Sequence, residues 1–197
     1  MTFTPLIDTN GTAGDDFIVG SSLLGTASET INAAASDDFI LGDTNGQFGG
    51  TGNSFATAVN IDTAALWTTD ENPLFANAAI PHMTMFLLAT AGETMFSTVT
   101  IGAGQTITVD IDFGRHLIGE DTDVVVDIYT PAQALAFTND DAIFTSGGAG
   151  STSSLDSFLT FTAAAAGTYF IRFREFGSDD LFEGGETFMA NISVTNH

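Results

Sequence analysis

Cysteine and lysine are both absent from the 197 residues of the chain, and each absence excludes a class of function. Without cysteine there is no disulfide, no thiol nucleophile and no thiolate metal site. Only three arginines, Arg115, Arg172 and Arg174, stand against 25 acidic residues, which gives a formal net charge of −22. Nucleic acids and anionic membranes bind basic side chains that replace their counterions. The sequence therefore predicts neither of them as a partner.

Catalytic motifs are also lacking. The three histidines, His82, His116 and His197, lie outside any Gly-x-Ser-x-Gly or His-Glu-x-x-His pattern. Paired carboxylates could hydrolyse a glycosidic bond, but tryptophan and tyrosine, which commonly hold sugars, are limited to Trp67 and two tyrosines. We therefore predict that the protein is not an enzyme.

So large an excess of carboxylates repels itself in the compact state unless cations neutralise it. Divalent cations are one complement, and the alternative is a general acidic coat screened by high ionic strength. Aspartate here is concentrated in turns rich in glycine, asparagine and threonine, which favours specific oxygen ligands. We expect Ca²⁺ to be the bound ion.

Neither an N-terminal signal peptide nor a run long enough to cross a bilayer is visible in the sequence, so we expect no membrane insertion. An acidic chain without lysine, cysteine or a signal peptide fits a cytosolic protein on composition alone. It fits a substrate of one-step type I export equally well. We predict a secreted, extracellular or cell-surface location, because the resemblances described below are to exported proteins.

The first 50 residues contain a degenerate repeat whose shared core, Asp-Asp-Phe-Ile-x-Gly, occurs at residues 15–20 and 37–42. It resembles the RTX calcium-binding nonapeptide, in which an aspartate supplies a carboxylate and an apolar residue packs inside a parallel β-roll. The resemblance implies two metal-binding aspartates and two packing isoleucines: Asp16, Asp38, Ile18 and Ile40. The alternative is two turn-plus-strand segments with solvated aspartates, because several glycines of the pattern are replaced.

Residues 43–52 have the composition of a flexible linker, and strand patterns follow it. Between Gln105 and Phe113 apolar and polar side chains alternate, with Ile111 on the apolar face and Asp110 on the other. Seven further segments have strand patterns: Met83–Ala89, Thr94–Ile101, Asp123–Thr130, Leu135–Thr138, Phe158–Thr162, Tyr169–Arg174 and Phe188–Thr195. Eight short strands predict an all-β protein, with an antiparallel β-sandwich or jelly roll over residues 51–197. An N-terminal arm, residues 1–50, precedes it and is itself capable of β-structure.

Five segments follow one another in an order and spacing typical of one family: Asn53–Ala58, Ala103–Asp112, Asp121–Tyr129, Phe137–Asp141 and Ala166–Phe173. Through them the chain resembles the bacterial pre-peptidase C-terminal (PPC) domain, a β-sandwich appended to secreted proteases and other exported proteins. The resemblance implies a non-catalytic module that often binds calcium and serves in substrate binding, folding or export. The protease domain that usually accompanies the module is missing from this sequence, so the chain is either a fragment or a module with its own purpose.

Candidate calcium ligands lie in the turns of the sandwich. Asp121 and Asp123 are two residues apart, so both point to one side of an extended backbone, and a shared cation would relieve their repulsion. The predicted ligands in the sandwich are Asp121, Asp123, Asp127, Asp140, Asp141 and Asp156. Solvated aspartates in ordinary turns are the alternative.

These features together predict a calcium-binding structural protein that assembles with copies of itself into a filament or layer. The N-terminal arm would add a strand to the sheet edge of a neighbour. Its apolar anchors would be Phe17, Ile18, Phe39 and Ile40. The opposing interpretation is an arm that packs on its own sandwich. The alternative functions are an accessory module that binds a protein or an extracellular polysaccharide, which a groove with Trp67 and Tyr129 would favour, and a domain that assists export.

Overall fold

The computed structural model describes residues 52–62, 66–72, 74–114, 122–143, 145–148, 150–151 and 153–197, together with the backbone of four strands in the N-terminal arm. The strands are β1 (Thr4–Leu6), β2 (Asp16–Val19), β3 (Phe39–Leu41), β4 (Gln47–Gly49), β5 (Val59–Asn60), β6 (His82–Leu88), β7 (Met95–Ile101), β8 (Thr106–Asp112), β9 (Val124–Tyr129), β10 (Leu135–Asn139), β11 (Phe158–Thr162), β12 (Gly167–Glu175) and β13 (Thr187–Val194). Among these residues, no helix is long and apolar enough to cross a membrane.

Two five-stranded sheets form the body of the protein. The first sheet has the order β10-β9-β12-β7-β5, and the second sheet has the order β11-β8-β13-β6-β4. Neighbouring strands are antiparallel except for two edge pairs, β4 with β6 and β5 with β7, which are parallel. All eight predicted strands are present, with ends displaced by two residues at most. The prediction of an all-β sandwich is confirmed.

The core lies between the sheets and consists of the apolar faces predicted from the alternation. Ile111 on β8 and Ile192 on β13 come from the second sheet, and Ile171 on β12 comes from the first; all three are completely buried. Strands β8 and β12 therefore have the predicted register, because a shift by one residue would exchange the two faces.

Part of the outer face of the second sheet, at β13 and at one end of β8, is buried as well, which the alternation does not predict. All eight residues of β13 are buried, and Asp110 and Asp112 on β8 are 4% and 0% exposed. Part of the covering layer is the segment around Phe75, whose ring lies 4.2 Å from that of His82. The rest is a glycine-rich loop, since Gly148 donates a hydrogen bond to Asp110 at 3.0 Å.

Part of the predicted linker is a strand of the sandwich. Within residues 43–52, β4 pairs in parallel with β6 at the edge of the second sheet, with Phe48 opposite Leu87. Gly52 then accepts a hydrogen bond from the backbone N–H of Phe96 in the first sheet. Its φ of +87° suits glycine, and a Cβ there would lie 2.7 Å from the Phe96 carbonyl oxygen. The expectation of a flexible linker is therefore wrong at β4.

The remaining arm strands form a separate parallel sheet in the order β1-β2-β3. The two copies of the repeat are neighbours in it, because Phe17 pairs with Phe39 and Ile18 pairs with Ile40. Both pairs of neighbouring strands in this sheet are parallel.

Replacing Ile111, Ile171 or Ile192 by alanine should each lower the free energy of unfolding by about 2–5 kcal/mol, because each change leaves a cavity between the sheets. Denaturant unfolding measures the loss. Thr168→Ala on the exposed side of β12 is the control and should change stability by no more than about 0.5 kcal/mol. Equal small effects in all four variants would contradict the packing described above.

Candidate functional site

Three of the predicted calcium ligands converge at one end of the first sheet. Asp123 immediately precedes β9, and Asp140 and Asp141 immediately follow β10. These two strands are antiparallel, with Asn139 opposite Val126, so the end of β10 lies beside the start of β9. One carboxylate oxygen from each aspartate lies within 4.8 Å of the other two. We call these three residues the acidic turn cluster.

Backbone contacts hold the two turns of this cluster in place. The Ser157 hydroxyl lies within hydrogen-bonding distance of the carbonyl oxygens of Val124, at 2.6 Å, and of Asp140. The N–H of Phe176 donates to the carbonyl of Asp123 at 2.7 Å, which fixes the start of β9 against the end of β12. The carboxylates are therefore held close together by strands β9, β10 and β12.

The electrostatics of the cluster favour a positive ligand. Burial and the neighbouring Asp141 raise the pKa of Asp140, although Arg174 opposes the shift. Oδ1 of Asp140 is buried without a hydrogen-bond partner in the described part of the chain. Burial, followed by repulsion from Glu186 and smaller contributions that include Asp123, also raises the pKa of Glu175 at the end of β12. Glu175 lies opposite Val124 on the neighbouring strand β9. The sequence does not indicate that Glu175 lies near Asp123, because this proximity depends on the pairing of β12 with β9.

The residues present fit a calcium ion. Oxygens bound to one Ca²⁺ at 2.3–2.6 Å lie at most about 5 Å apart, and the three carboxylate oxygens satisfy that limit. Aspartates and backbone carbonyls are the hard ligands that Ca²⁺ prefers. An ion would also supply the partner that Oδ1 of Asp140 otherwise lacks.

Asp127 does not join this cluster, although it was predicted to be a ligand. Its carboxylate is 1% exposed and accepts hydrogen bonds from Nε of Arg172 at 2.7 Å and from Nε of Arg174 at 3.1 Å. The guanidiniums, which come from the adjacent strand β12, already supply positive charge. Asp127 therefore forms ion pairs within the first sheet and lies outside the acidic turn cluster, and its assignment as a calcium ligand stays a prediction.

Asp156 is also placed elsewhere. Its carboxylate accepts hydrogen bonds from the N–H groups of Gly114, at 3.2 Å, and Ser153, at 3.0 Å, and it is 3% exposed. It lies close enough to Asp110 and Asp112 to raise the pKa of both, so it belongs to a different group of carboxylates. Of the remaining predicted ligands, Asp121, Asp38 and the side chain of Asp16 lie outside the described residues.

The carboxylates of Asp110 and Asp112 form a buried pair. The alternation along β8 predicts instead that both side chains are on the solvent-exposed face. The Ser151 hydroxyl lies 3.5 Å from Oδ1 of Asp110 and 3.2 Å from Oδ1 of Asp112. Asn191 donates to Oδ2 of Asp112 at 2.6 Å, and its own amide oxygen accepts from Thr84 at 2.7 Å. The pair therefore connects strands β8, β13 and β6 with the glycine-rich loop.

Two ionised carboxylates buried this close together repel each other. The pKa of Asp110 is raised to about 7, mainly by burial and also by the nearby Asp156, while the hydrogen bond from the Gly148 N–H opposes the shift. The pKa of Asp112 lies well above its usual range, first because of burial and then because of Asp110 and Asp156. Below neutral pH the pair retains protons that an unfolded chain would have released.

A cleft of about 590 Å³ surrounds the only tryptophan. Its lining residues are Asp62, Trp67, Thr68, Thr69, Pro81 and His197. Nε1 of Trp67 donates to the Ile61 carbonyl at 2.6 Å, and the ring of His197 lies 3.8 Å from the indole. Burial lowers the pKa of this histidine. Tyr129 is not part of the cleft, because it packs against Phe55 with ring centroids 5.0 Å apart.

Comparison with known proteins supports the resemblance over part of the chain. A model of the bacterial pre-peptidase C-terminal domain matches residues 93–174. The match covers β7 to β12 and therefore Asp123, Asp140 and Asp141, but it leaves out the N-terminal arm and the Asn53–Ala58 segment. The RTX-like resemblance of the arm stays a prediction. No curated protein matches the chain at a significant level.

Two solved structures are similar to this chain. One is PliG of Aeromonas hydrophila, a periplasmic inhibitor of g-type lysozyme, with 18% identity and a TM-score of 0.39 over 71% of this chain and 95% of that one. The other is the pre-peptidase C-terminal domain of a Bacillus anthracis collagenase, with 14% identity and a TM-score of 0.36 over 58% of this chain and 89% of that one.

The buried carboxylate pair predicts a stability that falls as pH rises. An aspartate whose folded pKa exceeds its unfolded value of 3.8 binds more protons when folded, so its contribution is lost as pH rises from about 4 through about 7. The free energy of unfolding, measured by denaturant titration with chelator at constant ionic strength, should fall across this range. Asp110→Asn should flatten the fall, whereas Asp70→Asn, on the exposed surface, should not. Identical slopes in both variants would exclude the pair as the cause.

Proposed function

We propose that this protein is a non-catalytic, calcium-stabilised β-sandwich that is exported from the cell and assembles with copies of itself. The observation that carries the calcium part is the acidic turn cluster, where Asp123, Asp140 and Asp141 bring three carboxylate oxygens within 4.8 Å of one another. In the described part of the chain, the residues that could hold the ion are these three, with Glu175 as a neighbouring carboxylate.

Calcium would act here as a clamp between strands. Bound Ca²⁺ neutralises clustered carboxylates and ties the turn before β9 to the turn after β10. An ion that binds the folded state and not the unfolded chain stabilises the protein by mass action. The protein's own contribution is to hold these turns together through Ser157 and the strand pairing.

The match to the pre-peptidase C-terminal domain supports a non-catalytic role, since the domain is an appendage of exported enzymes. It also supports a secreted or cell-surface location. The acidic composition without lysine or cysteine supports type I export as the finer proposal.

Assembly would depend on the arm strands β1–β3. Strand β4 is only three residues from Gly52, which is bound to the first sheet, so β4 is held on its own sandwich. In the described part of the arm, β2 hydrogen-bonds to β1 on one side and to β3 on the other. The sheet therefore has two edges, one on β1 and one on β3. An arm edge that pairs with a different surface of the next copy gives a head-to-tail contact, which closes a ring or continues as a filament.

A second candidate function, ligand binding, is favoured by the cleft beside Trp67. Its size lies within the range of small-molecule sites, and it combines aromatic rings with a carboxylate and two threonines. An extracellular polysaccharide is the ligand class that this mixture suits. Loss of binding to such a polymer in Thr69→Ala, whose side chain is exposed in the cleft, with an unchanged melting midpoint, would distinguish this function from assembly.

Millimolar Ca²⁺ should raise the melting midpoint by several degrees relative to chelator at equal ionic strength, the shift expected from about 1–2 kcal/mol in a domain of this size. Differential scanning calorimetry measures it. Asp140→Asn and Asp123→Asn should each remove most of the response, whereas Asp70→Asn removes an equal charge elsewhere and should retain it. A full response in both cluster variants would place the ion at another site.

Removing residues 1–42 should leave a folded sandwich, because β4 is retained. It should no longer form rings or filaments, because the arm strands β1–β3 are lost. Light scattering in calcium-containing buffer measures the size, and the melting midpoint reports folding. Addition of salt or calcium should promote the assembly of the full chain by screening its charge. A full chain that forms no large assembly under these conditions would refute the arm proposal and leave the calcium proposal intact.

A further inference from the structure

Strand β10, Leu135–Asn139, forms an edge of the first sheet that carries large exposed apolar side chains. Among the described residues its hydrogen-bonded neighbour is β9 alone. Leu135 is 55% exposed and Phe137 is 43% exposed. An edge strand presents unpaired N–H and C=O groups and is a template for a further strand, so natural proteins usually protect it with charges, proline or a β-bulge, and the regular stretch of β10 beyond its bulge is Phe137–Asn139.

Charge does not protect this edge. From Ile128 to Asn139 the chain has no charged residue, and Pro131 lies in the turn before the strand. A bulge between Leu135 and Phe137 interrupts the ladder with β9, after which Phe137 to Asn139 pair regularly. The edge strand of the second sheet on the same flank, β11, lies in another uncharged stretch, from Ser157 to Ile171.

We propose that β10 pairs with β10 of a second copy of this chain in a two-fold symmetric dimer. Two copies, each with a formal charge of −22, repel one another over most of their surfaces. The electrostatic cost of bringing two copies together is lowest where neither surface carries a charge. A two-fold symmetric contact places the uncharged surface around β10 of one copy against the same surface of the other. The paired edges then satisfy each other's backbone groups, and the contact closes at two copies.

The two-fold axis makes the paired strands antiparallel, and this direction keeps the acidic turns of the two copies apart. In the antiparallel arrangement that a two-fold axis imposes, Asp140 and Asp141 of one copy lie near the Pro131 end of the other. A five-residue strand is about 17 Å long, so the two acidic turns stay further apart than the screening length of about 8 Å in physiological salt. The contact uses neither the calcium ligands nor the N-terminal arm, so it can fail while those proposals stand, and they can fail while it stands.

Sedimentation velocity of the full chain in chelator, over a concentration series, tests the dimer. We expect a species of twice the mass of the 20.5 kDa monomer to be the first to form as concentration rises, with larger assemblies made through the arm growing from it as salt is added. Leu135→Asp and Phe137→Asp should each abolish the dimer, and their melting midpoints should equal that of the wild type at concentrations low enough for the wild type to be monomeric. Phe176→Asp introduces the same charge at a residue that is 60% exposed and away from the edge, and it should dimerise like the wild type.

Engineered cysteines locate the contact directly, because the natural chain has none. Opposed Cα atoms in an antiparallel ladder lie about 4.5–5.5 Å apart, within the range that a disulfide can bridge. Among Ala136→Cys, Phe137→Cys and Thr138→Cys, at least one should give a disulfide-linked dimer on mild oxidation, whereas Phe176→Cys should not. A monomer at every concentration and salt level, a dimer that survives in both aspartate variants, or equal cross-linking at position 176 would overturn the proposal.

Discussion

Repulsion among carboxylates, with almost no basic side chains to offset it, is the constraint on which the rest of the structure depends. Two of the three arginines, Arg172 and Arg174, contact the same buried carboxylate of Asp127. Arg174 also contacts Asp180 at 2.6 Å. Most of the other carboxylates must therefore rely on neutral hydrogen-bond donors, on protons or on cations from solution.

Glycine-rich loops supply many of the neutral donors. Glu186, 1% exposed, accepts from the N–H groups of Glu183 and Gly184 at 2.6 and 2.7 Å. At the buried pair, a Cβ on Gly147 would lie 1.7 Å from an oxygen of Asp110, and one on Gly150 would lie 2.2 Å from Cγ of Asp112. Side chains cannot occupy these positions without moving the carboxylates. The high glycine content thus serves close approach of backbone to buried acid as well as the turns themselves.

Alternation along single strands was sufficient to predict the eight strands and the side of β8 that enters the core. It could not show that the opposite side is also covered, because periodicity distinguishes two faces without revealing what packs on each. Asp110 and Asp112 were therefore placed at the surface. The approach of Asp123 to Asp140 and Asp141 could be predicted because β9 and β10 are consecutive in sequence. The contacts of Asp127 with Arg172 and of Asp156 with Gly114 join distant segments, and single-sequence patterns hold no information on their register.

The two groups of carboxylates differ in their hydrogen-bond donors, and this difference separates the buried pair from the proposed calcium site. At Asp110 and Asp112, the hydrogen bonds from Gly148, Ser151 and Asn191 are directional and come from groups packed over the carboxylates. Repulsion that remains there is relieved by retaining a proton, which needs no additional space. At the acidic turn cluster, Asp141 is exposed and Asp140 is partly so, while Oδ1 of Asp140 has no described donor. A cation can reach the exposed side of this cluster from solvent, so we propose calcium as the partner of the open cluster and the proton as that of the closed pair.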